Sequence, residues 1–167
     1  AAALATHGRL KMDLDGRLAR QGRADAHAVQ AVLKHPYFAK PAPKSTGRNE
    51  FPFELLKSQT RAKGADLVAT ATAITVESIA RAYEAAILGK RKRLDAIYFC
   101  GGGAKNPTLL QGVRARLRGV GVRTLKSHDP QMIEAEAFAL FGCLALMGAP
   151  LGGPWTGARG LGPPAHL

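Results

Sequence analysis

Apolar positions recur at three- and four-residue steps through the middle of the chain: Val68, Thr72, Val76, Ile79, Tyr83 and Ile87. Leu67, Ala71 and Ile74 widen that stripe, and the spacing predicts an amphipathic helix from Asp66 to about Leu88. Asp66 complements the positive helix end, and Gly89 suits the position after its last turn. Ile97-Tyr98-Phe99 then reads as a short strand running into Gly101, Gly102 and Gly103, with Asn106 as N-cap and Pro107 in the first turn of a new helix. That helix, Pro107 to Arg118, turns Leu109, Leu110, Val113 and Leu117 inward and Arg114, Arg116 and Arg118 outward. Val120 to Leu125 predicts a second strand. Asp129 and Pro130 predict a last helix start. From Ala137 that helix is apolar nearly all round, which requires burial, and Gly148 and Pro150 end it. The order is α/β, with the strands parallel through their crossover helix.

Upstream the pattern is weaker. Ala1 to Arg23 has no sustained period, and Asp13-Leu14-Asp15-Gly16 reads as a turn without the further carboxylates of a calcium loop. Ala24 to Leu33 predicts a short helix ended by Pro36, with His35 a helix-end residue rather than a ligand. Phe38 to Arg48 holds Pro41 and Pro43, which fix an extended path. Beyond Leu151 the chain is rich in Gly and Pro, with Trp155 expected to anchor it. Residues 1–23, 24–150 and 151–167 therefore read as a basic lead-in, one lobe and a tail.

Composition changes this picture little. A length of 167 residues at 46% hydrophobic suits one domain with a core. The formal charge of +12 invites a nucleic-acid partner, but the cations are scattered and aromatics for base stacking are few. The one dense run, Lys90-Arg91-Lys92-Arg93, sits between helix and strand as a solvated linker. Cys100 and Cys143 lie in apolar segments without ligand spacing, and are expected as buried free thiols in a reducing compartment. No signal-peptide layout is visible, and the longest apolar run, Ala135 to Ala149, is too short for a membrane span. A cytoplasmic protein is expected.

Three stretches carry candidate chemistry. The glycine turn leaves no Cβ atoms, so a flat ligand can approach its backbone, and the following helix N-terminus favours polar groups. Equally, it serves as a tight connection. Lys44-Ser45-Thr46-Gly47-Arg48 concentrates two cations and two hydroxyls; contact with phosphate or sugar and capping of the next helix stand about even, and the order is not that of a P-loop. Glu134 and Glu136 stand early in the last helix, and spacing alone prefers a helix-end role for both.

Taken together these stretches resemble the anhydro-N-acetylmuramic acid kinases. The resemblance rests on His35 through Arg48, on Asp66-Leu67-Val68-Ala69-Thr70, on Cys100 through Pro107, on Glu134-Ala135-Glu136-Ala137-Phe138-Ala139, and on Thr156-Gly157-Ala158, in the family's order. It implies the C-terminal lobe of an actin-like, ribonuclease H-like ATPase fold, a mixed sheet flanked by helices. It also implies an enzyme using ATP and Mg²⁺ that opens a 1,6-anhydro ring with water while phosphorylating the amino sugar at O6, in cell-wall sugar recycling. By the same resemblance, Gly101, Gly102, Gly103 and Asn106 hold the adenosine end of ATP, and Glu134 faces the sugar. The family's dimers leave a homodimer open.

The chain matches only the C-terminal half of such a kinase. The family's N-terminal lobe, with its phosphate loop, and the segment carrying the catalytic aspartate have no counterpart here. Asp13 and Asp15 do not match that segment, so no catalytic residue is assigned. Asn49 stands where the family has an acidic residue. The segment alone is expected to be inactive, since phosphoryl transfer needs charge neutralised around the γ-phosphate. The alternative is a degenerate half serving as a nucleotide-binding or interaction module.

Overall fold

The computed structural model describes residues 5, 9–90, 93–125 and 132–152. In chain order its elements begin with α1 (Arg17–Gln21), α2 (Ala26–Val32), α3 (Pro36–Ala39) and α4 (Phe53–Lys57). They continue with α5 (Gly64–Ala86), β1 (Ala96–Phe99), α6 (Pro107–Arg116), β2 (Gly121–Thr124) and α7 (Ile133–Leu146). The long amphipathic helix is thus present as α5, two residues earlier at each end than the pattern predicts.

α5 serves two cores. Its first turns pack Leu67 with Val32 of α2 and Leu56 of α4. Farther along, Val76 and Ala80 pack with Ile97, Leu110, Val113 and Val122 from the strands and α6. A helix wetted on one side only would need one apolar stripe; α5 widens its stripe because α1 and α2 lie along one flank and α6 along another. α1 forms inside the segment that shows no period, and it packs along α5.

β1 and β2 are parallel, with Ala96 opposite Gly121 and Phe99 opposite Thr124. Alternation buries Ile97 and Val122 against the helices and leaves Tyr98 and Arg123 outside, where the Tyr98 hydroxyl accepts from Arg123. Only this parallel pair stands where a mixed sheet is expected, among the described residues. The backbone hydrogen bonds of β2 explain one arginine. Gly121 N and Leu125 N donate to β1, so the intervening Val122 carbonyl points to the outer edge, and Arg114 takes it through Nε at 3.3 Å and Nη2 at 3.0 Å. Arg116 reaches Glu77 and Glu84 on α5. Two of the three outward arginines are therefore ties, not a solvated face.

Gly112 lies where α6 crosses α5: a Cβ there would sit 2.6 Å from Val76 Cγ2. Gly112→Ala is expected to destabilise by about 1–3 kcal/mol despite alanine's better helix propensity, and Val76→Ala in the same chain should recover part of it. Urea unfolding of the two variants checks this; a stabilising Gly112→Ala would contradict the packing.

Thr70, which falls within the helix that the pattern predicts, is completely buried. Its hydroxyl donates to Asp66 O at 2.7 Å and accepts from Asp25 N at 3.0 Å. Asp25 in turn caps α2 by accepting from Ala28 N, and accepts from Thr60. The Thr60 hydroxyl and the Ala28 amide hold the Asp25 carboxyl below its usual range. Thr70→Val keeps the shape but strands the Asp25 N–H, a loss expected at about 1–3 kcal/mol, whereas Thr70→Ser should sit near wild type in thermal unfolding.

Three expectations are corrected. Pro36 does not only end a helix: it starts α3, with His35 Nδ1 accepting from Tyr37 N at 3.3 Å. Cys100 and Cys143 are exposed, not buried. α7 is also not buried: none of its residues is, and Phe138 and Leu146 are 72% and 79% exposed. An apolar helix needs a covering face, and no described element lies broadly against this one. The predicted start at Asp129-Pro130, the Arg91-Lys92 part of the basic run, and the tail with Trp155 lie outside the described residues. No described helix is long and apolar enough to cross a membrane.

Candidate functional site

β1 delivers the chain to Cys100, and Gly101 turns it with φ at +75°, a region that glycine enters without strain. Gly102–Lys105 then make one 3-10 turn, closed by Ala104 N donating to Gly101 O at 3.0 Å and Asn106 N to Gly103 O at 3.1 Å. Asn106 caps α6 as its sequence position predicts: Oδ1 accepts from Leu109 N at 3.0 Å, and Pro107 follows at N1. The cap uses up much of what a helix N-terminus offers an anion. Pro107 has no N–H, Leu109 N is held by Asn106 Oδ1, and Leu110 N donates to Asn106 O.

What stays open is space. Nothing lies within 4 Å of a Cβ built at Gly101 or Gly102, and one at Gly103 meets only Leu109 Cδ2 at 3.6 Å. Beside Asn106 lies a cleft of about 420 Å³, bordered by Lys11, Asp13, Thr72, Thr75 and Leu109. With Oδ1 committed to the cap, the Asn106 amide nitrogen is the group left to donate into it. An uncluttered backbone, one amide donor and a nearby lysine suit a flat heterocycle with a polar edge better than a triphosphate.

The Asp13–Gly16 turn closes one wall. Asp13 accepts from Leu18 N at 2.8 Å and Ala19 N at 3.0 Å, so its carboxylate caps α1. Gly16 has φ +64° and sits against Asn106 and Thr108, whose hydroxyl donates to Gly16 O at 2.9 Å. Sequence spacing marked this as a turn but not where it docks; a glycine after Asp-Leu-Asp was the available signal. Thr72 was legible only as part of the α5 stripe, and Thr75 only as a position within that helix.

Glu134 is not brought to this turn. It is exposed in the first turn of α7 and borders neither of the two cavities described. The Lys44 to Arg48 loop is also separate from it. Lys44 Nζ donates to the carbonyls of Tyr37 and Phe38, both at 3.1 Å, over the Tyr37 ring at 4.8 Å. This binds the C-terminal end of α3, where a cation is favoured. Thr46 donates to Glu50 at 2.6 Å, and that bond, with Lys40 and His35 nearby, holds the Glu50 carboxyl below its usual range. Lys40 Nζ also lies 3.6 Å from Glu50, so this acid ties the loop internally.

The model of the family described as "Anhydro-N-acetylmuramic acid kinase" matches residues 1–162. The chain belongs to the anhydro-N-acetylmuramic acid kinase family. A relative of that name from Xanthomonas oryzae pv. oryzae is 37% identical over 160 residues, covering 92% of this chain and 41% of the relative. One from Idiomarina loihiensis is 38% identical over 135 residues, with 78% of this chain and 36% of the relative covered. One from Rhodospirillum rubrum is 38% identical over 147 residues, covering 87% and 37%. The chain therefore spans about two fifths of the length of these anhydro-N-acetylmuramic acid kinases. The α/β architecture with a small parallel sheet is what this family member contributes.

Proposed function

We propose that this chain is the C-terminal, actin-like lobe of an ATP-dependent kinase that opens anhydro-N-acetylmuramic acid with water and phosphorylates it at O6, and that the lobe alone does not catalyse. The family match over residues 1–162 carries the reading, and the geometry of the glycine turn supports it. When bound, ATP supplies the phosphoryl group. Gly101, Gly102 and Gly103 leave room for the adenine plane, and the Asn106 amide donates to the adenosine edge while its Oδ1 keeps α6 capped. On this reading Mg²⁺ is bound with the nucleotide in the complete enzyme. Glu134, exposed at the start of α7, meets the sugar only once a facing lobe covers that helix. A cytoplasmic enzyme of cell-wall sugar recycling follows from the same reading.

The exposed apolar face of α7 and the two-fifths coverage keep the interaction module as a second reading. Adding the non-matching part of the Rhodospirillum rubrum relative to the purified chain separates the two. The kinase reading expects ADP and sugar phosphate only from the mixture. Phosphotransfer by the chain alone would sink the claim of an incomplete half. Failure of the mixture, with adenine-nucleotide binding intact, would favour the module.

A further inference from the structure

The larger of the two clefts described has no part in the reading above: none of Gly101, Asn106 or Glu134 lines it. It encloses about 1020 Å³ between α5 and the segment running from α3 to α4. One wall is aromatic, with Tyr37, Phe38 and Phe53; the other is the flank of α5, with Ile74, Ile79 and Ala82. Its ionisable lining is one-sided. Lys40, Lys44, Arg81 and Lys90 border it, and among the described residues no Asp or Glu lines it, although Glu50 and Glu77 pair with Lys40 and Arg81 from behind.

We propose that this cleft binds a small amphipathic anion, an apolar body carrying a single carboxylate-type head. Volume and lining match a small-molecule site, where apolar walls take the body and a few polar groups fix the head. Two of the cations are held in place before any ligand arrives. Lys44 is fixed by the Tyr37 and Phe38 carbonyls, and those two bonds leave one of its three N–H groups to donate. Arg81 is held by Gln30 and lies 3.8 Å from Glu77 through Nε, leaving further guanidinium N–H groups. Preorganised charge lowers the ordering cost of binding. Lys40 and Arg81 are paired with Glu50 at 3.6 Å and Glu77 at 3.8 Å, so Lys44 and Lys90 supply the positive charge that disfavours a cationic head of the same shape.

Calorimetry with the whole chain tests this, using decanoate and decyltrimethylammonium, amphiphiles with the same tail and opposite heads. Decanoate is expected to bind at least about tenfold more tightly, with a preference that shrinks as salt rises. Ala82→Trp, at an exposed α5 position that fills the cleft, should abolish decanoate binding with circular dichroism unchanged; Lys90→Gln should reduce the preference. Phe138→Ser on α7 should leave binding as it is. Equal affinity for both amphiphiles overturns the proposal, as does loss of binding in Phe138→Ser, which would put the ligand on α7. Decanoate binding that survives Ala82→Trp overturns it too. Self-association in sedimentation that Ala82→Trp abolishes would make a second copy the occupant and also overturn it.

Discussion

Gly22→Ala is expected to cost about 3 kcal/mol of stability, the largest single-residue effect in the molecule outside the core side chains. Gly22 N donates to Leu18 O and closes α1, and the next amide, Arg23 N, donates to Asp66 Oδ1 at 2.7 Å. The chain therefore crosses the first turn of α5 in backbone contact. A Cβ at residue 22 would lie 2.7 Å from Asp66 N and closer still to the Ala65 carbonyl group. These are main-chain atoms of a long helix, and no rotamer change relieves the clash. The φ of −87° is open to any residue, so the whole loss is steric, not conformational. Urea unfolding measures it against Gly142→Ala on α7. There a Cβ meets nothing, and helix propensity predicts a gain of up to about 1 kcal/mol. A Gly22→Ala loss below about 0.5 kcal/mol would show that α1 is not seated on α5.

Gly102→Val is expected to reduce adenine-nucleotide affinity by at least about tenfold, with stability changed by little more than about 1 kcal/mol. The substitution is informative because the added side chain meets no protein atom within 4 Å of its Cβ, and the φ at 102 lies outside the left-handed region. The branched side chain projects into the space assigned to the adenine plane. Titration of ADP followed by calorimetry, with thermal unfolding as the fold control, reads both quantities. Unchanged affinity in a folded variant would remove the nucleotide from this turn. Gly101→Val would not serve, since φ there is +75° and any loss would mix backbone strain with lost binding.

The helices with strong periodic or capping signals were legible to within about two residues at their ends. α5 follows from its three- and four-residue spacing, and α6 from Asn106, Pro107 and the leucines after them. Both depend on interactions within a few residues along the chain, which is where sequence pattern holds its information. The glycine turn was legible for the same reason: Gly101 stands where φ must be positive, and Asn106 caps its own helix. For the candidate site this local reading located the turn but not its surroundings. Lys11, Thr72 and Thr75 join Asn106 around one cleft through contacts across some 30 to 95 positions, which no local spacing encodes.

Tertiary structure alone decided the rest, and the reason is the same in each case. Thr70 looked like any helix threonine until α2 placed the Asp25 amide against it. Gly22 and Gly112 looked like ordinary small residues until another backbone or side chain came within contact distance. Lys44, whose loop read as a contact for phosphate or sugar or as a cap for the next helix, instead has two carbonyls of the preceding helix beneath it. α7 shows the limit from the other side: its composition demands a covering face, yet composition does not say which surface supplies it. Hydrophobicity along a chain states how much must be buried, while only the three-dimensional packing states against what. Among the described residues, none of the elements that pack around α5 lies broadly against α7.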